Sequence, residues 1–327
     1  MSPAARGGLR QGVAVALAGL AIGAFHVPQP FLCVLAEQLT AGFAPTRPAE
    51  FGWRLVAAAA GSLGAMAVLV LAPNEQWISL PLFFAHAGFG TVWFFRKHGA
   101  ACGTLFVMGS ASMFAEAFIF PQRDLGFGLA HLVSLVVATT VVFPVGRFFL
   151  GWSDGGAKHH GGAADAIQVG ATGVSALVLA CVFLPEQPTV TTVASVATAL
   201  ALLGNTGGIG ERFAGGVLGI GVSLAFLIVF TGSGNDVGLY LLGLGVLAGC
   251  FEWAAERRPS WAAGFRQGAA MFVVGSTIFP RPDLHLTLTF ERAAAIFIGL
   301  AVGCAIAVAR QEMARLDVGL GRRRTSV

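Results

Sequence analysis

Residues 213–230 read FAGGVLGIGVSLAFLIVF, eighteen positions with no charge, one hydroxyl at Ser223 and four glycines. A bilayer's hydrocarbon core is about 30 Å thick and takes roughly 20 apolar residues in a helix. Such a run is therefore a spanning helix rather than a buried helix of a soluble domain. The same texture recurs at 51–72 (FGWRLVAAAAGSLGAMAVLVLA) and 293–309 (AAAIFIGLAVGCAIAVA).

Composition extends that local reading to the whole chain. Of 327 residues 56% are hydrophobic and only 11% charged, with a mean hydropathy of +0.77. A soluble domain carries about 25% charged residues to wet its surface, so lipid is the remaining solvent. The 45 glycines suit close helix packing in a bilayer, although a GC-rich genome supplies glycine equally well. Cys33, Cys102, Cys181, Cys250 and Cys304 stand singly in apolar stretches, which supports neither a disulfide framework nor a zinc site. A pI near 9.1 invites a nucleic-acid reading, but the basic residues sit between spans, where membrane orientation accounts for them. Segment 9–25 has no A-x-A-like site after it and is expected to stay as the first span.

Proline, glycine and charge clusters divide the chain into apolar segments near 9–25, 30–44, 51–72, 77–95, 101–120 and 125–149. A second set lies near 166–184, 188–205, 212–230, 236–255, 261–279 and 286–309. The joining loops alternate between compact proline- or acid-rich turns (PNEQ at 73–76, PEQP at 185–188) and basic ones (Arg96-Lys97-His98, Arg257-Arg258). Seventeen of the twenty Lys and Arg fall on the second side with both termini, leaving Arg123, Arg281 and Arg292 opposite. The positive-inside rule then makes both termini cytoplasmic, and the expected location is the cell inner membrane. Trp77, Trp93, Trp152, Trp253 and Trp261 fall at expected span ends, as interfacial anchors do.

An internal repeat is legible in the punctuation. Arg54 and Gly61 return as Arg212 and Gly219, 158 residues on, and Pro30 returns as Pro188. Gln11 returns as Gln168, and Ile119-Phe120-Pro121 with Asp124 as Ile278-Phe279-Pro280 with Asp283. Six spans per half return the chain to its starting side, so the repeat is parallel, about an axis along the membrane normal. The expected fold is all-α, about twelve transmembrane helices in two parallel six-helix repeats. The first repeat covers 1–150, a Gly-rich cytoplasmic linker 151–165, the second repeat 166–310 and a basic cytoplasmic tail 311–327.

An arginine opening the third helix of each half and followed by small residues (Arg54 with Gly61 and Gly64; Arg212 with Gly215 and Gly219) is similar to a known pattern. So are Phe290-Glu291-Arg292 before an apolar, glycine-containing run, and the turn VPQPFLCVLAEQLTAGF. Together they resemble the fusaric-acid-resistance and aromatic-acid-exporter superfamily of inner-membrane proteins, to which plant malate channels are related. The resemblance implies export of small organic, typically aromatic, acids, driven by protons and assisted by a periplasmic membrane-fusion adaptor. The alternatives are a passive organic-anion channel and a non-transporting membrane scaffold; a homo-oligomer is compatible with each. Two departures stand: no segment reads as the cytosolic domain of larger members, and Val133 lies opposite Arg292 in the first half.

Ionisable side chains inside spans are costly and mark function by default. On that ground Arg292 with Glu291 and His131 are the candidate substrate-binding residues. Arg292 is equally open to an internal ion pair with Glu116 or Glu291. Glu37, Glu116 and His131 are the proton-coupling candidates, a histidine titrating near neutral pH. Arg54 and Arg212 are expected to be structural helix-end arginines that reach headgroups. His86, among small neighbours, is expected to make a helix–helix hydrogen bond. No catalytic constellation, metal site or cofactor is expected: the phosphate-loop pattern is missing, and His159-His160 lies in a flexible linker and reads as solvated, without carboxylate or cysteine partners. The chain reads as a transporter and not as an enzyme.

Overall fold

The computed structural model describes residues 2–25, 48–72, 75–119, 162–203, 208–232, 236–276 and 285–324, with isolated positions between 132 and 140. Helix accounts for 94% of the structure and no strand occurs among the described residues. Ten α-helices are present in this set: α1 (Pro3–Phe25), α2 (Pro48–Leu71), α3 (Gln76–His98), α4 (Ala100–Ile119) and α5 (Ala163–Phe183), then α6 (Pro188–Ala201), α7 (Ile209–Gly232), α8 (Val237–Arg257), α9 (Ala262–Ser276) and α10 (His285–Arg324). Each lies on an apolar segment marked in the sequence. The segments at 30–44 and 125–149 fall outside the described residues. Helix α10 does not stop at 310 but continues through the basic tail.

Local chemistry sets the boundaries. Pro48 and Pro188 open their helices, where a missing N–H costs nothing. Gly99, at a φ of +90°, lets α3 end and α4 begin at once. The Asp236 carboxylate accepts from Leu239 N at 3.1 Å and caps α8. Helices α2, α3, α5, α7, α8 and α10 are long and apolar enough to cross a bilayer. At 1.5 Å per residue, α6 reaches only about 21 Å, short of a 30 Å core. The chain is an all-helical membrane protein.

Backbone-to-backbone approach through glycine holds the bundle together. A Cβ on Gly215 would lie 1.9 Å from Gly264 O, and one on Gly219 2.1 Å from Gly268 O, so α7 and α9 touch along two facing glycine pairs. Helices α2 and α4 meet the same way, with Gly61 against Phe106 O. Running in opposite directions, α1 presses Gly8 and Gly12 on Gly249 and Gly245 of α8. Gly88 of α3 and Gly170 of α5 repeat that arrangement, against Ala166 O and Phe84 O. Helix α6 is deeply enclosed, with eleven of its fourteen residues buried among α4, α5 and α10. Its hydroxyls turn to carbonyls: Ser195 Oγ donates to Gly299 O of α10 at 2.9 Å, and Thr198 Oγ1 to Ala194 O at 2.8 Å.

One polar tie locks the end of the bundle at which α5 begins. Arg310 of α10 meets the buried Asp165 carboxylate at 2.5 Å and Gln168 Oε1 at 2.6 Å. Gln168 Nε2 in turn donates to Ala199 O of α6, and Asp165 accepts from Gly162 N. Every atom in that chain needs its neighbour, because an unpaired polar group in a low-dielectric interior is expensive.

Candidate functional site

Helices α6 and α9 face each other across a cavity of about 100 Å³. Helix α6 supplies Val190, Ala194, Ala197, Thr198 and Ala201, while α9 supplies Arg266, Gln267, Ala270 and Val274. Arg212 of α7 and Ile296 of α10 complete the wall. Helices α7 and α9 run parallel with Gly215 on Gly264, so Arg212 starts level with Trp261, and both Arg212 and Arg266 reach the cavity wall. The opposite end, at Val190, Val274 and Ile296, carries only aliphatic side chains.

The two arginines are in different electrostatic states. Arg266 makes a two-pronged pair with Glu252 of α8, Nη2 to Oε1 at 2.9 Å and Nε to Oε2 at 3.1 Å, with Glu256 at 3.9 Å. Glu252 is 5% exposed, so its carboxylate depends on that fork. Arg212, half-buried, donates no side-chain hydrogen bond among the described residues, and its Nε is buried without an acceptor. A guanidinium in that state, on a cavity wall, is built to receive an acceptor.

Just beyond the aliphatic end lie residues 271–276 of α9, all buried. Three side chains serve carbonyls of this stretch. Arg292 Nη1 donates to Val274 O at 3.3 Å, Thr289 Oγ1 to Gly275 O at 3.2 Å, and the Tyr240 hydroxyl to Ser276 O. Ser223 and Ser276 pair at 3.0 Å beside them. Arg292, selected from sequence for a substrate carboxylate, thus serves a backbone carbonyl; Glu291 beside it is half-buried.

Glu37 and His131 lie outside the described residues, as does the side chain of Glu116 on α4. Arg54 is 5% exposed, which leaves its guanidinium facing protein. His86 makes its helix–helix bond: Nε2 lies 3.1 Å from Gly61 O of α2 and 3.1 Å from Ser110 Oγ of α4. The cavity residues Arg266 and Gln267, and Glu252 that pairs with Arg266, were not singled out from sequence as a site. A signal existed, since Glu252 and Arg266 stand about equally far from the turn at Pro259–Trp261, which brings them face to face across an α8–α9 hairpin. No group of three or more metal-binding side chains occurs among the described residues. A larger hollow of about 420 Å³ between α1 and α8 is lined by glycines, alanines, aliphatics, Cys250 and Trp253, with no charged group, as a lipid-facing surface would be. Comparison with protein-family models, curated proteins and solved structures finds no match.

Proposed function

We propose that this protein carries small organic acids out across the cell inner membrane in exchange for protons, and that it has twelve spans in two parallel six-helix repeats with cytoplasmic termini. The observation that carries the proposal is the cavity between α6 and α9, which joins an arginine-lined end to an aliphatic interior. Carriers bind solute where short or broken helices end inside the protein, and the short helix α6 lines this cavity. Arg212 would take the carboxylate, and Arg266, held by Glu252, would orient beside it. Arg292 would keep the end of α9 rigid behind the site.

The repeat draws support from helix exchange. The glycines of α1 that press on α8 are Gly8 and Gly12, and 158 positions on, Ala166 and Gly170 of α5 make the same antiparallel approach to α3. First helix on fourth helix of the other half, in both directions, is what a twofold axis along the membrane normal produces. By the same offset Glu37 corresponds to Ser195, on the buried face of α6, so Glu37 is the proton-coupling residue closest in kind to this site. Glu116 and His131 remain candidates for the same role. The outward direction, the carboxylate class and a periplasmic adaptor come from the resemblance to aromatic-acid exporters. Chemistry on the solute has no support in the side chains, and the protein is proposed not to be an enzyme.

Counterflow in proteoliposomes tests this. Vesicles loaded with unlabelled carboxylate should transiently accumulate labelled carboxylate from outside, above protein-free vesicles, because a carrier exchanges one solute for another. Equilibration without overshoot is the result of a passive anion channel, and no exchange is that of a membrane scaffold; either would sink the proposal.

A further inference from the structure

We infer that the groove between α1 and α8 holds one anionic phospholipid, its acyl chain lying along the glycine seam and its phosphate taken by Arg6 and Arg257. The inference goes beyond the transport proposal and does not depend on it.

The groove follows from how the two helices meet. Gly8 and Gly12 of α1 press on Gly249 and Gly245 of α8, and the hollow of about 420 Å³ runs along that seam. Leu9, Val246 and Trp253 stand exposed beside it. Its lining extends from Trp253 to Leu242, eleven residues or about 16 Å of helix. That is close to half of a hydrocarbon core of about 30 Å, the depth of a single leaflet. A partner's spanning helix would run on through the whole core, and the lining does not. Within a bilayer such a groove attracts no chain by hydrophobicity, because lipid tails are already out of water. Shape admits a tail, and the headgroup decides which lipid stays.

Charge marks the headgroup end. Helices α1 and α8 run antiparallel, which puts Arg6 and Arg257 at the same end of the seam. Each stands about 20° round its helix from a residue of the groove wall, Val13 and Val246 respectively. Both arginines are exposed, and neither side chain makes a hydrogen bond or ion pair among the described residues. Arg257 lies over the Trp253 ring, 5.4 Å from its centre; a guanidinium stacked on an indole keeps its in-plane donors for a phosphate.

The full count at this end supports an anion. Arg6, Arg10, Arg257, Arg258 and Arg266 stand against Glu252 and Glu256 alone on α1, α8, the turn after it and α9. Both acids face Arg266, and Arg10 is buried. The excess therefore rests on the exposed arginines, where a lipid phosphate lies and accepts from two guanidinium groups. A second copy of the chain, set groove to groove in the same membrane orientation, would bring these arginines against their own counterparts, and like charges oppose that.

Native mass spectrometry of the full chain in detergent, titrated with an equal mixture of dioleoyl phosphatidylglycerol and dioleoyl phosphatidylcholine, tests the inference. With identical tails, the comparison reads the headgroup. Each chain should retain one phosphatidylglycerol, preferred roughly tenfold or more over phosphatidylcholine. The double variant Arg6→Gln, Arg257→Gln should bring that preference to within about threefold. Cys250→Trp, filling the groove from an exposed position, should lower phosphatidylglycerol retention roughly tenfold, and Val246→Trp should do the same. Cys181→Trp, also exposed but on α5, should leave it at the native level. Equal retention of the two lipids by the native protein would overturn the inference. So would retention undiminished in the arginine variant, or in a folded Cys250→Trp or Val246→Trp protein. Dimers in place of lipid adducts, dispersed by Cys250→Trp, would also overturn it and give the groove to a second copy.

Discussion

Replacing Gly219 by alanine puts one methyl group between α7 and α9. Its Cβ would lie 2.1 Å from Gly268 O, where van der Waals contact begins near 3.4 Å. The helices must therefore part by about 1 Å, because a backbone carbonyl in the middle of α9 cannot rotate away. Overpacking of this kind costs about 1–3 kcal/mol, and alanine's better helix propensity returns at most about 1 kcal/mol. Gly221, two residues on in the same helix, has no atom within 4 Å of its virtual Cβ. Gly221→Ala carries the same propensity gain without the clash. Thermal unfolding of the detergent-solubilised proteins should show Gly219→Ala melting several degrees below the native chain, at about 2–4 °C per kcal/mol. Gly221→Ala should match or exceed the native protein. Because α7 bears Arg212 and α9 bears Arg266, the same separation should also weaken carboxylate binding in Gly219→Ala only. Equal melting of the two variants would refute the glycine contact as the support of the site.

Arg266→Ala should cost on the order of 1–3 kcal/mol, since it strands the buried Glu252 carboxylate; Glu256→Ala, at the longer distance, should cost little, and chemical denaturation of both variants checks the ranking. Tyr240→Phe and Thr289→Val each remove one donor from the end of α9, so each should raise hydrogen exchange at residues 271–276 without altering exchange in α2. His86→Ala should lower the melting temperature by more than Ser110→Ala, because it removes both the bond to Gly61 O and the ring that packs on Gly64. Arg310→Ala should loosen the junction of α5, α6 and α10, read as faster exchange near Asp165 and Ala199.

Hydropathy and punctuation made the helices legible, because lipid demands long apolar runs and each break needs proline, glycine or charge. The cation-bearing cavity was not legible for a different reason. Arg212 and Arg266 both sit near helix starts, where a sequence offers a headgroup as the simplest partner for an arginine. Only the facing glycines of α7 and α9 bring the two together. Arg292 shows the converse: an arginine within an apolar helix stands out, yet the acceptor it meets is Val274 O. Which backbone carbonyl a side chain meets on a neighbouring helix is not written in a sequence. His86 was simpler, since a histidine among small residues lets another helix approach closely enough to bond.

Uphill movement through the site is the most direct test. Inside-out proteoliposomes holding labelled butyrate or benzoate at equal concentrations on both sides would be given an imposed pH gradient, for the native protein and for Arg212→Gln. Proton-coupled transport through the α6–α9 cavity requires accumulation of the acid above equilibrium, abolished by a proton ionophore and lost in Arg212→Gln. Accumulation that persists undiminished in a folded Arg212→Gln protein, or flux that only follows the acid's own gradient, would contradict it.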